Sequence, residues 1–170
     1  MSHGPETKAL LVADTSVLVN LAILDRLDLF AATGFEAHVP NHVLQELTRP
    51  DQRERLDRAL AAGLLTELEI TDIAEMTEYA GLRKRFGDGE SAAMAVAFSR
   101  GWAVAVDEAK AVRRIVLERL GADLLVTTPS LLNRAVRQGL IDIAQIPGMR
   151  ATLAANRYAM GLLEVEGDPA

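Results

Sequence analysis

The run Ala9-Leu10-Leu11-Val12-Ala13 is apolar throughout and stops at Asp14, Thr15 and Ser16. A short apolar run bounded by polar residues reads as a strand buried on both faces, the kind parallel sheets contain. Asp14 then stands at the carboxyl end of the strand, the edge at which open α/β sheets bind ligands. The competing reading is local: Asp14, Thr15 or Ser16 caps a helix beginning near Val17. A second run, Trp102-Ala103-Val104-Ala105-Val106, repeats the pattern and ends in Asp107.

Elsewhere strand-like runs alternate with helical patterns. Strands are expected near Leu11, Ala37, Leu68, Val104 and Leu125, the last over residues 123–126. Helices are expected over residues 17–22, 24–31, 51–62, 108–120 and 130–138. Another starts at Asn41 and is stopped by Pro50, and one capped by Thr71 or Asp72 runs toward Leu82. Asp88-Gly89-Glu90-Ser91 opens a helix over residues 92–98, apolar on every side and rich in alanine, hence buried close to the sheet. Such alternation indicates right-handed βαβ crossovers and a three-layer α/β/α domain with a central, mainly parallel sheet. The polar residues 1–8 are expected to form a disordered lead-in, residues 9–163 one domain with a closing helix over 149–163, and residues 164–170 a disordered tail.

With 170 residues, 49% of them hydrophobic, the chain can bury a real core as one domain. It has no cysteine, which excludes disulfides and thiolate metal sites. No apolar run is long enough to span a bilayer and no secretion signal is evident, so the expectation is a cytoplasmic protein without a membrane partner. A net charge of -6 argues against gripping nucleic acid through overall basicity. Positive charge does cluster, at Arg49, Arg53, Arg55 and Arg58, at Arg83, Lys84 and Arg85, and at Arg113 and Arg114. Singly, each such arginine reads as part of a solvated helix face paired with acids such as Asp51, Glu54 and Asp57.

Four carboxylates stand out by position: Asp14 and Asp107 at strand ends, Glu46 beside the apolar face of its helix, and Glu90 at the head of the buried helix. Asp88 competes with Glu90, but as the residue before Gly89 it suits helix capping better. Were these acids to converge, like charges near 4 Å would repel by roughly 4 kcal/mol at an effective dielectric of 20. A divalent cation resolves the conflict, and oxygen ligands alone favour magnesium or manganese over zinc. Such a cation lowers the pKa of water and stabilises charge on a phosphodiester under attack, which is nuclease chemistry. His42 and Glu46, four apart, lack the second histidine a zinc site needs. An aspartate-nucleophile phosphatase would place a second aspartate where Ser16 stands, and no Walker loop is present.

With these pieces in order, the sequence resembles the PIN-domain ribonucleases, in particular toxin-like prokaryotic members. The pieces are Ala13-Asp14-Thr15-Ser16 with Asn20-Leu21, Val39-Pro40-Asn41-His42-Val43-Leu44-Gln45-Glu46-Leu47, Gly87-Asp88-Gly89-Glu90-Ser91, Val106-Asp107, and Leu131-Leu132 through Gly139-Leu140-Ile141. The resemblance implies that Asp14, Glu46, Glu90 and Asp107 are catalytic, metal-binding acids for Mg2+ or Mn2+. It also implies that Thr15 or Ser16 holds a water on the metal and that Asn20 orients Asp14. Asp88 would be a supporting acid, and the basic loop Arg83-Lys84-Arg85 would hold the RNA backbone. Thr127-Thr128-Pro129-Ser130 departs from the family's glycine-threonine turn, and that loop is given no role. The expected activity is metal-dependent RNA hydrolysis, and the expected setting is that of the toxin of a toxin-antitoxin pair with an antitoxin protein as partner. A non-catalytic PIN-like module for nucleic acid or protein binding is the alternative. Apolar faces on the helices of residues 17–30 and 51–62 are expected to be exposed and to support a homodimer.

Overall fold

The computed structural model describes residues 7–107 and 110–156. Residues 1–6 of the expected lead-in, Glu108 and Ala109 of one expected helix, and everything from Arg157 on, including the expected tail, lie outside the described residues. Five strands form the sheet, β1 (Ala9–Ala13), β2 (Phe35–Pro40), β3 (Leu65–Leu68), β4 (Ala103–Ala105) and β5 (Leu125–Val126). Their order is β3-β2-β1-β4-β5 and each neighbouring pair is parallel. Central β1 pairs Leu11 with Ala37 on one side and with Ala103 on the other.

Period-two alternation divides the core between two layers. Leu11 and Ala13 pack into the layer built from α1 (Thr15–Ile23), α2 (Leu29–Ala32), α3 (Asn41–Glu46), α4 (Pro50–Ala61), α8 (Thr128–Arg137) and α9 (Ile146–Ala155). Val12, Val104 and Val106 pack into the opposite layer of α5 (Ile73–Leu82), α6 (Asp88–Arg100) and α7 (Lys110–Arg119). This is the expected three-layer α/β/α arrangement. Alanine-rich α6 is buried at Gly89 and from Ser91 through Ala97, as its composition requires. Asp72 caps α5, accepting bonds from Ala74 N and Glu75 N.

Local differences from expectation have identifiable causes. Pro50 opens α4 instead of merely stopping α3, because its missing N–H and fixed φ suit the first helical turn. The expected strand over residues 123–126 shortens to Leu125–Val126, since Ala122–Leu124 form a 3-10 turn after Gly121. The helical faces expected to be exposed are turned inward. Val17, Leu18, Leu21, Leu29, Phe30, Leu56 and Ala59 all belong to the buried core, so they offer no dimer surface. Among the described residues the exposed large apolar side chains are Leu10, Ile73, Met76, Leu117 and Leu140.

The chain steps from β1 through β2 to β3 in one direction, then crosses back to β4 and β5. Strand order therefore reverses between β1 and β4, and a crevice forms outside the carboxyl ends of this pair. Asp14 and Asp107 flank it. Asp14 N extends the ladder with a 2.9 Å bond to Ala105 O.

Candidate functional site

The crevice is a cleft of about 320 Å³ whose walls include Asp14, Thr15, Ser16, Asn20, Glu46, Gly87 and Glu90. Asp14 is only 2% exposed, and its two oxygens do different work. Oδ2 caps α1, accepting from Ser16 Oγ at 3.0 Å and from Ser16 N at 3.4 Å. Oδ1 is buried and accepts no hydrogen bond. Burial, reinforced by the charge of Glu90, outweighs the lowering influence of Thr15 and Ser16 and pushes the carboxyl up from 3.8 to about 7. The capping and the ligand readings of Asp14 thus fall on separate atoms of one side chain.

Glu46, exposed at the end of α3, reaches across to the start of α6. Its Oε1 accepts from Gly89 N at 2.8 Å and its Oε2 from Thr15 Oγ1 at 2.5 Å. A carboxylate here offsets the unpaired N–H groups and positive dipole of a helix N-terminus. Only glycine permits this approach: a Cβ on residue 89 would lie 2.5 Å from Glu46 Oε2 and 2.9 Å from Thr15 Oγ1.

Asp88 and Glu90 separate clearly. They are two residues apart on a helix and so point to different sides. Glu90 lines the cleft, and its carboxylate also accepts from Gly87 N at 3.3 Å, so the capping expected of Asp88 is done by Glu90. Asp88 turns away, accepting from Tyr79 Oη at 2.9 Å and pairing with Arg83. That ion pair occupies one cation of the basic loop. Arg85 stacks over Phe86, 5.2 Å from the ring centroid.

Asp107 stands at the same sheet edge, but its carboxylate is engaged by neighbours. Asn20 Nδ2 donates to Oδ2 at 2.8 Å, Thr128 N donates to Oδ1 at 2.7 Å, and Thr128 Oγ1 donates to Oδ2. Asp107 N donates to Ser16 Oγ at 3.0 Å, and that hydroxyl donates in turn to Asp14, so one hydroxyl ties the two aspartates together. Asn20 therefore orients Asp107 and not, as the resemblance implied, Asp14. Its own Oδ1 is buried without a donor.

Thr128 holds a position in the site that its loop's sequence does not reveal. Thr127 caps α8, with Pro129 in its first turn, and this puts Thr128 at the helix start beside the end of β5. The loop's own signal, Thr127-Thr128-Pro129-Ser130, is a helix-start pattern. Its partner is 21 residues away in sequence.

A family model described as a PIN domain matches residues 10–158. The chain belongs to the PIN-domain family. Among curated proteins none matches it. PIN domains are generally nucleases, usually with divalent metals, so at that level this PIN domain is a hydrolase acting on nucleic acid. No helix among its described residues is long and apolar enough to cross a membrane.

The donors in the cleft suit a hard cation. They are oxygens alone, and two of them, Asp14 Oδ1 and Asn20 Oδ1, are buried acceptors lacking a donor. The fit lies in these donors and not in a gathered triad. Among the described residues no group of three acids or histidines stands close enough to hold one ion.

Proposed function

We propose that this PIN domain is a metal-dependent endoribonuclease using magnesium or manganese, with Asp14 as the ligand that the geometry supports best and Glu46, Glu90 and Asp107 as the further acids of the site. The observation that supports this most is the buried, donor-free Oδ1 of Asp14, beside Glu90 in a cleft at the sheet's switch point. A structural carboxylate would have both oxygens satisfied, whereas leaving one bare in the interior is costly unless something fills it.

When bound, a divalent cation supplies Lewis acidity, activating water and stabilising charge on the phosphodiester. The chain's own residues orient and hold. Ser16 ties Asp14 to Asp107, Asn20 and Thr128 fix the Asp107 carboxylate, and Glu46 anchors the start of α6 so that Glu90 faces Asp14. Arg83 is tied to Asp88, so Lys84 and Arg85 are the cations of the basic loop that meet the RNA backbone. The reading extends to the toxin of a cytoplasmic toxin-antitoxin pair, active as a homodimer or held by an antitoxin; family membership alone supports that extension. In it, exposed Ile73 and Met76 on α5 are the surface a protein partner would cover.

One observation favours the second reading, a non-catalytic binding module: Glu46 already has both oxygens bonded within the protein. Incubating the protein and Asp14→Asn with pooled RNA and manganese separates the two. The nuclease reading expects fragments from the wild type alone. Identical fragments from both would mean contamination and favour the module.

A further inference from the structure

At the end of β1 opposite the acids, a concavity of about 530 Å³ opens between the strand's start, the turn after α2 and the last turns of α8. Lys8, Arg134 and Gln138 line it, together with Thr33 and Gly34. Lys8 precedes β1 and Asp14 follows it, so the strand's length of about 17 Å separates this hollow from the acidic cleft.

Much of the positive charge of this acidic chain is neutralised where it stands, as at Arg26, Arg53, Arg100, Arg114 and Arg119, each facing a carboxylate. Among the described residues the side chains of Lys8 and Arg134 have no ion pair or hydrogen bond. Arg134 is held instead by its guanidinium lying over Phe35, 4.9 Å from the ring centroid. Stacking of this kind orients the planar group without neutralising it and leaves its edge donors available. The Thr33 hydroxyl is already committed to Leu29 O at 2.6 Å, so the side-chain donors offered to the hollow are the Thr7 hydroxyl and those of Lys8, Arg134 and Gln138. A bland explanation exists, that a basic residue in the last turn of α8 balances the helix dipole. It does not call for a guanidinium fixed on a ring, nor for Lys8 lining the same hollow.

The geometry points to a second binding site, a pocket for a phosphate monoester carried by a nucleotide. Two cations match the roughly two negative charges of such a group, and the arginine fork and the Gln138 amide match its oxygens. The volume falls within the few hundred Å³ typical of small-ligand pockets. The ligand is either a free mononucleotide or the terminal phosphate of an RNA strand. The inference does not depend on the nuclease reading, since it concerns the other edge of the sheet.

The test uses wild-type protein in excess chelator, so that metal-dependent cleavage is off, and follows the amide resonances of Thr33, Gly34 and Gln138. AMP and a short RNA, with and without a 5′-phosphate, are the probes. Saturable shifts at these amides are expected, weakened about tenfold in Arg134→Gln and only partly restored in Arg134→Lys. Binding of AMP identifies a free nucleotide as sufficient. Binding of phosphorylated RNA without binding of AMP identifies a strand end. No saturable shift with any probe, RNA that binds here equally tightly with and without its terminal phosphate, or unchanged affinity in Arg134→Gln would each overturn the proposal. None of these results bears on Asp14→Asn cleavage.

Discussion

Asp14 and Glu75 are 2% and 3% exposed, and the chain surrounds them in opposite ways. Glu75, on α5, receives a two-point bond from Arg100 of α6, with Nε at 2.5 Å and Nη2 at 3.1 Å. The guanidinium also lies over Trp102 at 4.8 Å, and its bonds to Glu75 raise the arginine's pKa above the ordinary value. Charge is matched, both carboxylate oxygens are bonded, and two helices are locked together. Asp14 has hydroxyl and amide partners on one oxygen and none on the other. The fold solves the problem of a buried carboxylate completely at Glu75 and leaves it open at Asp14. The open one lies at the switch point of the sheet, where the proposed ion would bind.

The contrast is broken if both positions respond alike to loss of their partner or charge. The largest effect is expected from Arg100→Met, which strands the Glu75 carboxylate in the interior. We expect a loss of about 3 kcal/mol, at the low end for a broken buried pair because the Arg100 side chain is partly solvated. Denaturant unfolding measures it, and a loss near zero would mean that the pair is not the clamp described.

Asp14→Asn should go the other way. Because the Asp14 carboxyl is raised from 3.8 to about 7, the folded chain keeps a proton that the unfolded chain has already released. The stability this proton contributes is whole below about pH 3.8 and is lost as the pH climbs through about 7. At pH 8 without metal, Asp14→Asn should therefore be more stable than wild type, on the order of 2 kcal/mol after allowance for lost cap bonds. At pH 4 that advantage should be gone, leaving only the cost of the lost cap bonds. Manganese should stabilise the wild type at pH 8 and not the variant. Thermal melts at the two pH values, with and without manganese, check all of this; a variant less stable than wild type at pH 8 would place Asp14 with Glu75 as a structural acid.

Thr128→Val sharpens the comparison within the site itself. It removes the hydroxyl that donates to Asp107 but keeps the backbone bond from Thr128 N, so a stability cost of about 1–2 kcal/mol is expected together with reduced cleavage. Equal RNA cleavage by variant and wild type would restrict Thr128 to a folding role.

Gly89→Ala should have the smallest effect on stability, under about 1 kcal/mol, because the Cβ meets the far end of the exposed Glu46 side chain. Displacing that carboxylate breaks its bonds to Gly89 N and Thr15, so cleavage should fall more than stability does. Unchanged cleavage would show that the position of Glu46 is not critical.

The sheet was readable from the chain because its signal is local. Apolar runs centred on Leu11 and Val104 need no partner to be recognised as buried strands, and a strand that ends in aspartate places that aspartate at the sheet edge whatever its neighbours are. Parallel pairing followed from the helices between strands, since each crossover returns the chain in the same direction. By the same logic Asp14 and Asp107 were identifiable as edge residues from sequence, and Glu90 as the head of a buried helix.

Which atoms meet was a different matter, decided only in three dimensions. The choice between Glu90 and Asp88 turned on the rotation of α6 against the sheet, which brought Glu90 to Asp14 and sent Asp88 to Tyr79 and Arg83. Thr128 gained its role from a contact spanning 21 residues, and Asn20 was directed to Asp107, 87 residues away, instead of to the nearby Asp14. Helix faces thought to be exposed were absorbed by the core for the same reason: an apolar stripe states that something must cover it, but not what. Periodicity and capping are properties of a few consecutive residues and so are written in the sequence. The partners of a carboxylate depend on how separate elements pack, and only the packed chain contains that information.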